Sequence, residues 1–410
     1  MNKTEKWGVL SLASIPLVMT LGNSMLIPIL PIMEKEIGIT SFQSSLIITI
    51  YSIVAIILIP IAGFLSDRIG RKKVIIPSLI IAGIGGLISG LASWLFENPY
   101  LIILIGRFLQ GVGAAGASPI VLPLVGDMCK SEKDVNTGLG LIETSNTFGK
   151  VLSPILGAIL AALIWYMPFF AFPIFCLISI LLIQFLIKTP KNNEVDTSSF
   201  SFFLKKIKRT LKEEGRWLIS IFIVGAICFY ILFGMLFFLS SILEDKYGID
   251  GIIKGLILAI PLGALCLSSY ITGKKLGDDK NTIKWIIFSG ILAATIAVFG
   301  ICYTENLYIF IAALVICGIG IGVALPSLDA LITNGTEKDE RGTITSIYSS
   351  ARFIGVAVGP PVFAILMKLS HDILFFSVAG ISAVATVLVL FFIKPPKRVR
   401  TDSLFQKVKR

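Results

Sequence analysis

Long apolar runs of about twenty residues or more recur along the whole chain, and short charged or turn-forming breaks separate them. A helix needs about 20 mostly apolar residues to cross the roughly 30 Å of hydrocarbon in a bilayer. The pattern therefore predicts twelve membrane-spanning helices, at residues 7–31, 43–66, 74–94, 99–126, 136–163, 166–187, 217–243, 252–273, 285–303, 306–332, 343–367 and 372–393. The first run is too long for a signal peptide and has no small-residue cleavage site, so we expect it to remain in the protein.

The composition supports this interpretation and argues against a water-soluble protein. Apolar residues make up 55% of the chain, charged residues only 15%, and the mean hydropathy is +0.90. Soluble domains carry about 25% charged residues. The six cysteines lie scattered without a Cys-x-x-Cys pair, and His371 is the single histidine. We therefore expect no disulfide framework, no metal site and no cofactor.

The basic residues are unevenly distributed among the breaks. Of the 36 lysines and arginines, 29 lie in the breaks and termini that would share one side of the membrane. Positively charged loops are retained in the cytoplasm, so we expect a multi-pass protein of the cell membrane with both termini cytoplasmic. The same distribution explains the net charge of +11. It argues against a nucleic-acid partner, because the charge is not gathered on one folded surface.

The second half of the chain repeats features of the first half at an offset of 206 or 207 residues. The repeated features are Gly111-x-Gly113 with Pro119 and Gly318-x-Gly320 with Pro326, Gly149 with Pro154 and Gly355 with Pro360, and Gly70 and Gly277. Three matches in the correct order at nearly one offset are hard to obtain by chance. They imply two parallel six-helix bundles, with the substrate path between them.

One long polar stretch separates the two sets of six spans. We predict an N-terminal bundle at 1–187, a cytoplasmic linker at 188–216, a C-terminal bundle at 217–393 and a basic tail at 394–410. Basic and apolar residues are mixed from Phe200 to Arg216, which is typical of an amphipathic helix on the anionic inner leaflet. A solvated basic linker explains the same composition equally well.

The break after the second span carries a specific motif, Gly63-Phe-Leu-Ser-Asp67-Arg68-Ile-Gly70-Arg71-Lys72-Lys73. It resembles the G-x-L-x-D-R-x-G-R-K signature between helices 2 and 3 of the major facilitator superfamily. Three further stretches resemble the drug:proton antiporter branch of that family: Pro28-x-x-Pro31, Arg107-x-x-Gln110-Gly111 and Gly149-x-x-x-Ser153-Pro154-x-x-Gly157. Ser153 and Ala158 stand where the antiporter motif usually has glycine, and Lys274 stands at the repeat position of Asp67.

The resemblance implies an all-α membrane protein with 12 transmembrane helices in two pseudo-symmetric six-helix bundles. It also implies a secondary transporter, rather than an enzyme, that exports small amphipathic drugs or metabolites in exchange for protons by alternating access. The imperfect third motif leaves open a proton-coupled importer, or a transporter of one specific anionic or zwitterionic metabolite. We expect a monomer whose partners are a small-molecule substrate, protons and the lipid bilayer.

Motif residues at the ends of spans are candidates for gating. The resemblance implies that Asp67 contacts the second half when the transporter faces outward, in a charge cluster with Arg71 and Asp127. The gating candidates are Gly63, Asp67, Arg68, Gly70, Arg71, Asp127, Gly149 and Pro154. Alternatively, the basic residues of the motif serve only to retain the loop in the cytoplasm. The small residues at 149, 153 and 157 share one face of the fifth span, which we expect to lie close against the other half.

Ionisable residues inside membrane spans are costly unless they are paired or face water, so each one is a functional candidate. Arg107, Glu143, Lys150 and Arg352 fall within the predicted spans, and we expect Glu143 to be the only deep carboxylate, because Asp127 and Asp329 lie near span ends. Burial favours the neutral form of a carboxyl group. We therefore expect Glu143 to couple proton movement to transport, and the resemblance of the Arg107-x-x-Gln110-Gly111 motif implies that Arg107 is its partner in proton handling. A fixed Glu143–Lys150–Arg107 network that only holds helices together is the alternative.

Three cations against one carboxylate within the spans favour a neutral or negatively charged substrate, such as a phenolic, carboxylate or zwitterionic compound. The substrate-binding candidates are Asn23, Gln110, Lys150, Tyr230 and Arg352. The aromatic residues of span 7, at positions 229, 230, 237 and 238, are candidates for an apolar cavity wall, although such residues also face lipid or neighbouring helices. The absence of a filter-like loop in the sequence argues against a channel.

Overall fold

The computed structural model describes residues 3–129, 132–187, 208, 215–277, 279–303, 306–336 and 338–393. Within these ranges the chain is almost entirely helical and contains no strand. Most of the predicted linker at 188–216 and all of the basic tail at 394–410 lie outside the described residues. The boundaries between bundles, linker and tail therefore stay predictions, as does the amphipathic helix in the linker.

The first half of the chain forms eight helices and a short 3₁₀ turn within the described residues. These are α1 (Lys3–Ser24), the 3₁₀ turn Ile27–Ile29, α2 (Leu30–Glu36), α3 (Ser41–Ile69), α4 (Arg71–Leu95), α5 (Tyr100–Ala117), α6 (Val121–Met128), α7 (Glu132–Leu163) and α8 (Met167–Leu186). Pro28 lies in the turn before α2, and Pro119 lies between α5 and α6. Proline lacks the backbone N–H that a continuous helix needs, so the first and fourth spans are interrupted at these points.

The second half forms six helices within the described ranges. These are α9 (Gly215–Asp245), α10 (Gly251–Lys275), α11 (Lys280–Ile301), α12 (Leu307–Gly335), α13 (Lys338–Leu369) and α14 (His371–Phe392). Asp279 and Asn306 precede α11 and α12, and their side chains accept hydrogen bonds from N–H groups of the first turn. These caps satisfy donors that have no partner inside the helix.

Twelve stretches of the described chain are long and apolar enough to cross a membrane. The first span consists of α1 and α2, the fourth consists of α5 and α6, and each of the other ten is a single helix. Large apolar side chains such as Ile57, Leu101 and Phe185 are more than half exposed on the outer surface, where lipid is the matching solvent. The prediction of twelve spans is confirmed.

Equivalent helices of the two halves pack in the same way. A side-chain carbon at Gly111 in α5 would lie 2.5 Å from the carbonyl oxygen of Tyr51 in α3. One at Gly318 in α12 would lie 2.4 Å from the carbonyl oxygen of Pro261 in α10. Only glycine allows backbones to approach this closely. Spans 4 and 2 therefore pack as spans 10 and 8 do, and the predicted pair of pseudo-symmetric bundles is confirmed.

The two ends of the bundle differ in the connections they carry. Because the number of spans is even, α1 begins and α14 ends at the same end, which we call the terminal face. At this face Lys72 of α4 donates hydrogen bonds to the carbonyl oxygens of Gln184 and Ile187, at 3.2 and 3.3 Å. The opposite end, which we call the distal face, carries the connections after α2 and after α9.

The small-residue face of α7 packs in a direction that differs from expectation. A side-chain carbon at Gly157 would lie 2.2 Å from the carbonyl oxygen of Met25, and one at Gly149 would lie 3.2 Å from Leu17. This face therefore contacts the first span of its own half. Close approach to the other half uses Pro154, whose carbonyl oxygen would lie 2.5 Å from a side-chain carbon at Gly255 in α10. One residue turns a helix by about 100°, so adjacent positions serve different halves.

Candidate substrate-binding cavity

A cavity of about 120 Å³ lies between the two halves. Its walls come from α1, α3, α5, α6 and α7 of the first half and from α9 and α13 of the second. The polar groups that line it include Asn23, Glu143, Asn146, Lys150, Ser349 and Arg352, and the aromatic groups are Tyr51, Phe229, Phe233 and Phe353. A mixture of aromatic walls and a few polar groups is typical of sites that bind small amphipathic molecules.

Contacts between the halves close the bundle on the distal side of this cavity. Ser240 Oγ in α9 donates to the Ile27 carbonyl oxygen at 2.9 Å. Thr49 Oγ1 in α3 donates to the Ala357 carbonyl oxygen in α13 at 2.7 Å. Together with the backbone approach of α7 to α10, these bonds leave the cavity in the terminal half of the interface. Glu143, near the start of the helical fifth span, lies in that half.

An ion-pair cluster also joins the halves at the distal face. Lys35 of α2 and Lys254 of α10 each place Nζ 2.6 Å from a carboxylate oxygen of Glu244 in α9. The Lys254 side chain is 1% exposed and the Glu244 side chain is 8% exposed. Separation of the halves has to break the contact with Lys35, whereas the pair within the second half can persist.

Two neighbouring side chains orient Glu143 in the cavity wall. Thr20 Oγ1 donates to Asn146 Oδ1 at 2.7 Å, and Asn146 Nδ2 lies 3.5 Å from Glu143 Oε1 as a hydrogen-bond donor. Asn146 follows Glu143 by three residues and therefore shares its helix face, a spacing that was readable in the sequence. Within the described chain, no lysine or arginine is in ion-pair contact with this carboxylate.

Lys150 lies two turns beyond Glu143 on α7 and is 5% exposed. Its Nζ lies 5.2 Å from the centre of the Phe229 ring. It makes no hydrogen bond or ion pair with any residue that the structure describes. The side chain lines the main cavity and also a small apolar extension of it, formed with residues such as Ile27 and Leu236.

Arg352 of α13 contacts the same aromatic ring. Its guanidinium carbon lies 5.6 Å from the centre of the Phe229 ring and 4.8 Å from that of Tyr348. Its Nη1 lies 3.8 Å from Asp329 Oδ1 in α12. Lys150 and Arg352, from different halves of the protein, are thus brought together at one ring.

Asp329 lies three residues before Ile332, where the tenth span ends, which agrees with its predicted place near a span end. Its side chain is 35% exposed and faces Arg352 of α13. The structure therefore adds a carboxylate beside one of the cavity cations, which the sequence analysis had set aside. That Glu143 is the only deep carboxylate stays a prediction.

Arg107 is completely buried and does not line the cavity. Its guanidinium lies 4.6 Å from the centre of the Tyr51 ring. It donates to the carbonyl oxygens of Ile47 (2.8 Å) and Gly22 (3.0 Å), to Asn23 Oδ1 (2.6 Å) and to Gln110 Oε1. The guanidinium therefore joins spans 1, 2 and 4 through neutral oxygen atoms.

The structure does not form the expected pair of Arg107 with Glu143, nor the alternative network that also includes Lys150. The donors of Arg107 are used by carbonyl and amide oxygens, and backbone carbonyls leave no mark in a sequence pattern. Gln110, which was expected to bind substrate, is 1% exposed and serves the same cluster. Asn23 both holds Arg107 and lines the cavity.

Tyr230 also lies outside the cavity. Its ring packs edge-on against Phe363, with 5.6 Å between ring centres, and its hydroxyl is buried without a hydrogen-bond partner among the described residues. Of the four aromatic residues expected to form a wall, Phe229 lines the cavity, whereas Phe238 packs against Phe375. Phe233, one turn beyond Phe229, completes the aromatic wall and was missed.

The charged motif at the terminal face forms the predicted cluster. Arg71 Nη1 lies 2.9 Å from Asp67 Oδ1, and Arg71 Nε donates to the Asp127 carboxylate at the end of α6. Gly70 has φ +101°, a conformation that makes the turn between α3 and α4 and that other residues rarely adopt. A gating role for this cluster stays a prediction.

Two other motif residues lie beside this cluster. A side-chain carbon at Gly63 would lie 3.5 Å from Ser346 Oγ in α13, so the motif adjoins the second half. The Arg68 guanidinium carbon lies 4.9 Å from the centre of the Phe64 ring on the same helix. Movement of one half against the other would therefore change the contacts of this motif.

Comparison with known proteins places this geometry in a family context. A sequence model of the Major Facilitator Superfamily matches residues 12–360 and 255–409. The "Bacillibactin exporter" of Bacillus subtilis (strain 168) is 54% identical over 397 residues, which cover 97% of this chain and 98% of that protein. The "Quinolone resistance protein NorA" of Staphylococcus aureus (strain MRSA252) is 23% identical over 377 residues, covering 90% and 92%.

A solved structure shares the fold. The human organic anion transporter MFSD10 (TETRAN) matches with a TM-score of 0.74 at 16% sequence identity, over 95% of this chain and 100% of that chain. At this level of identity the match speaks for the architecture only.

Proposed function

This chain belongs to the major facilitator superfamily and is a membrane transporter rather than an enzyme, and from that premise we propose that it exports a small amphipathic compound in exchange for protons. Bacillibactin is the first candidate substrate, because it is named for a relative that is 54% identical over nearly the whole of both chains. We further propose that the protein works as a monomer in the cell membrane, with both termini in the cytoplasm.

The observation that supports the proposal is a polar and aromatic cavity between the two halves, on the terminal side of the contacts that join them. Ser240–Ile27 and Thr49–Ala357 close the distal side, and the cavity lies on the terminal side of them. The distribution of lysines and arginines favours a cytoplasmic terminal face. A state closed at the distal face would therefore accept substrate from the cytoplasm, as an exporter requires.

Proton exchange requires that the proton and the substrate occupy the site in alternation. A substrate hydroxyl can donate a strong, charge-assisted hydrogen bond to the ionised Glu143 carboxylate, whereas protonation of that carboxyl group removes the charge and leaves a weaker, neutral acceptor. The side chains of Asn146 and Thr20 hold the carboxyl group in place from one side. Hydroxylated aromatic compounds have the required donor, and their rings match the wall formed by Phe229, Phe233 and Phe353.

The test is a comparison of bacillibactin in the medium and in the cells of a bacterial host that makes it but lacks its own exporter. Expression of this protein should raise the amount in the medium and lower the amount in the cells several-fold, and a protonophore should abolish the difference within minutes. Unchanged secretion would exclude bacillibactin as the substrate, and secretion that a protonophore does not affect would exclude proton exchange. Susceptibility to quinolones in the same strains distinguishes a broader drug exporter from one for a specific metabolite.

A further inference from the structure

Lys150 is a buried cation with no hydrogen-bond or ion-pair partner among the described residues. The residue is 5% exposed, and no hydrogen bond or ion pair to a described residue neutralises its ammonium group. Its nitrogen is not sealed in the protein interior, since the side chain lines the cavity and its extension. Burial of an unpaired charge is strongly unfavourable, so a negatively charged group that enters the cavity would stabilise this ammonium group.

Arg352 adds a second cation with unused donors at the same place. Its guanidinium makes no hydrogen bond with the described residues, and its contact with Asp329, at 3.8 Å, is longer than a hydrogen bond. An arginine has five N–H donors arranged to bind the two oxygens of a carboxylate. Both cations approach the ring of Phe229, within 5.2 and 5.6 Å.

The acidic residues near these cations do not use up their charge. Glu143 precedes Lys150 by seven residues, a rise of about 10 Å along the helix, and makes no bond to it. Asp329 lies 3.8 Å from Arg352 Nη1 and makes no hydrogen bond or ion pair with Lys150. The ammonium group of Lys150 is therefore in direct contact with no carboxylate of the described residues.

We propose that Lys150 and Arg352 form a subsite for a negatively charged oxygen group, a carboxylate or a phenolate, carried on an aromatic ring of the substrate. The subsite deepens the proposed function, because it rests on the cavity being the transport site. Both cations lie against the Phe229 ring, and Phe353 offers a second aromatic surface to the bound ring. Oxygen anions held by two cations make short, charge-assisted hydrogen bonds.

Binding of salicylate and of its neutral amide, salicylamide, to the purified full-length protein in lipid nanodiscs tests the subsite. The two probes share ring and hydroxyl and differ in the charge of one group. We expect salicylate to bind at least tenfold more tightly, and its advantage to shrink as salt concentration rises, because ions screen the attraction. The advantage should disappear in Lys150→Met, be retained largely in Lys150→Arg, and fall in Arg352→Met.

Lys368→Met is the matched control, because it removes an exposed lysine outside the cavity. This variant should prefer salicylate over salicylamide as strongly as the unmodified protein does. Thermal unfolding and size-exclusion profiles show that each variant is folded. Equal binding of the two probes, binding of neither, or an unchanged preference in a folded Lys150→Met protein would overturn the proposal. Since export is not measured, the subsite stands or falls separately from the function: a salicylate preference with no secretion of bacillibactin would keep the subsite and exclude that substrate.

Discussion

At the scale of single residues, the cations inside the bundle fall into two kinds. Arg107 donates hydrogen bonds to four neutral oxygen atoms of the protein. Lys150 and Arg352 line the cavity and donate no hydrogen bond to any residue in the described part of the chain. The sequence alone places all three cations within spans and does not show which of them have partners in the protein. The structure shows this, and the difference in partners distinguishes a cation that holds helices together from one that can bind a ligand.

The carboxyl group of Glu143 is the proposed site of proton exchange, and Glu143→Gln tests it. The amide oxygen can still accept a hydrogen bond from a substrate hydroxyl, but the side chain no longer gains or loses a proton. We expect the variant to lose export driven by a pH gradient in proteoliposomes and to keep exchange of labelled for unlabelled substrate. Glu97→Gln, the same exchange at an exposed glutamate between α4 and α5, is the control. Full pH-driven export by Glu143→Gln would place the proton elsewhere.

Arg107→Met should destabilise the protein rather than change its pH dependence alone. The substitution leaves buried carbonyl and amide oxygens without donors, at about 1–3 kcal/mol for each unsatisfied group. We expect a loss of about 3 kcal/mol or more in the free energy of unfolding, measured by denaturation of the purified protein in mild detergent. Arg216→Met, at an exposed arginine, should change it by less than about 0.5 kcal/mol. A variant as stable as the control, with altered proton dependence, would restore the direct role in proton exchange.

At the scale of helices, the sequence predicts much of the architecture, because the bilayer imposes a length and a hydropathy that each span must meet. The interruptions of spans 1 and 4 follow from Pro28 and Pro119. Which neighbour the small-residue face of α7 contacts could not be predicted in the same way. Gly149 and Gly157 indicate that this face makes a close contact, but not whether the contact is with the first span or with the other half. The neighbour depends on how the whole helix is rotated about its axis in the bundle.

Gly255→Ala tests the approach of α7 to α10 as a closure point. The added carbon would lie 2.5 Å from the Pro154 carbonyl oxygen and 2.6 Å from the Ala158 side chain, which are positions that only separation of the helices relieves. We expect the variant to favour a state open at the distal face. The measurement uses Leu236→Cys, at a residue that is 5% exposed, in a protein whose native cysteines have been replaced. With Gly255→Ala added, this cysteine should react with an impermeant maleimide several-fold faster than it does without that change.

Gly263→Ala provides the control on the same helix, because nothing lies within 4 Å of a side-chain carbon at that position. Its labelling rate should match that of the parent protein. Equal rates in the two alanine variants would show that the contact of Gly255 with Pro154 does not hold the distal side closed.

At the scale of the whole molecule, the two halves carry their charges in a complementary way. Glu143 and Lys150 belong to the first half, whereas Asp329 and Arg352 belong to the second. The proposed substrate and proton would therefore bind in a cavity to which both halves contribute side chains. Movement of one half against the other would change the distances between these side chains. The distal pair of Lys35 and Glu244 also crosses the interface. Closure at one face and binding at the cavity are thus linked by the same relative motion.

The charge carried through the membrane in each cycle distinguishes the proposed substrates from cationic drugs. Exchange of one inward proton for a neutral substrate moves one charge, exchange for a monoanion moves two, and exchange for a monocation moves none. Each charge contributes about 2.3 kcal/mol per 100 mV of membrane potential. In proteoliposomes loaded with bacillibactin, an inside-negative potential set by a potassium gradient and valinomycin should therefore drive efflux at equal pH on both sides. Efflux that does not respond to the potential would show that no net charge crosses the membrane in the cycle, and would contradict exchange of one proton for a neutral or anionic substrate.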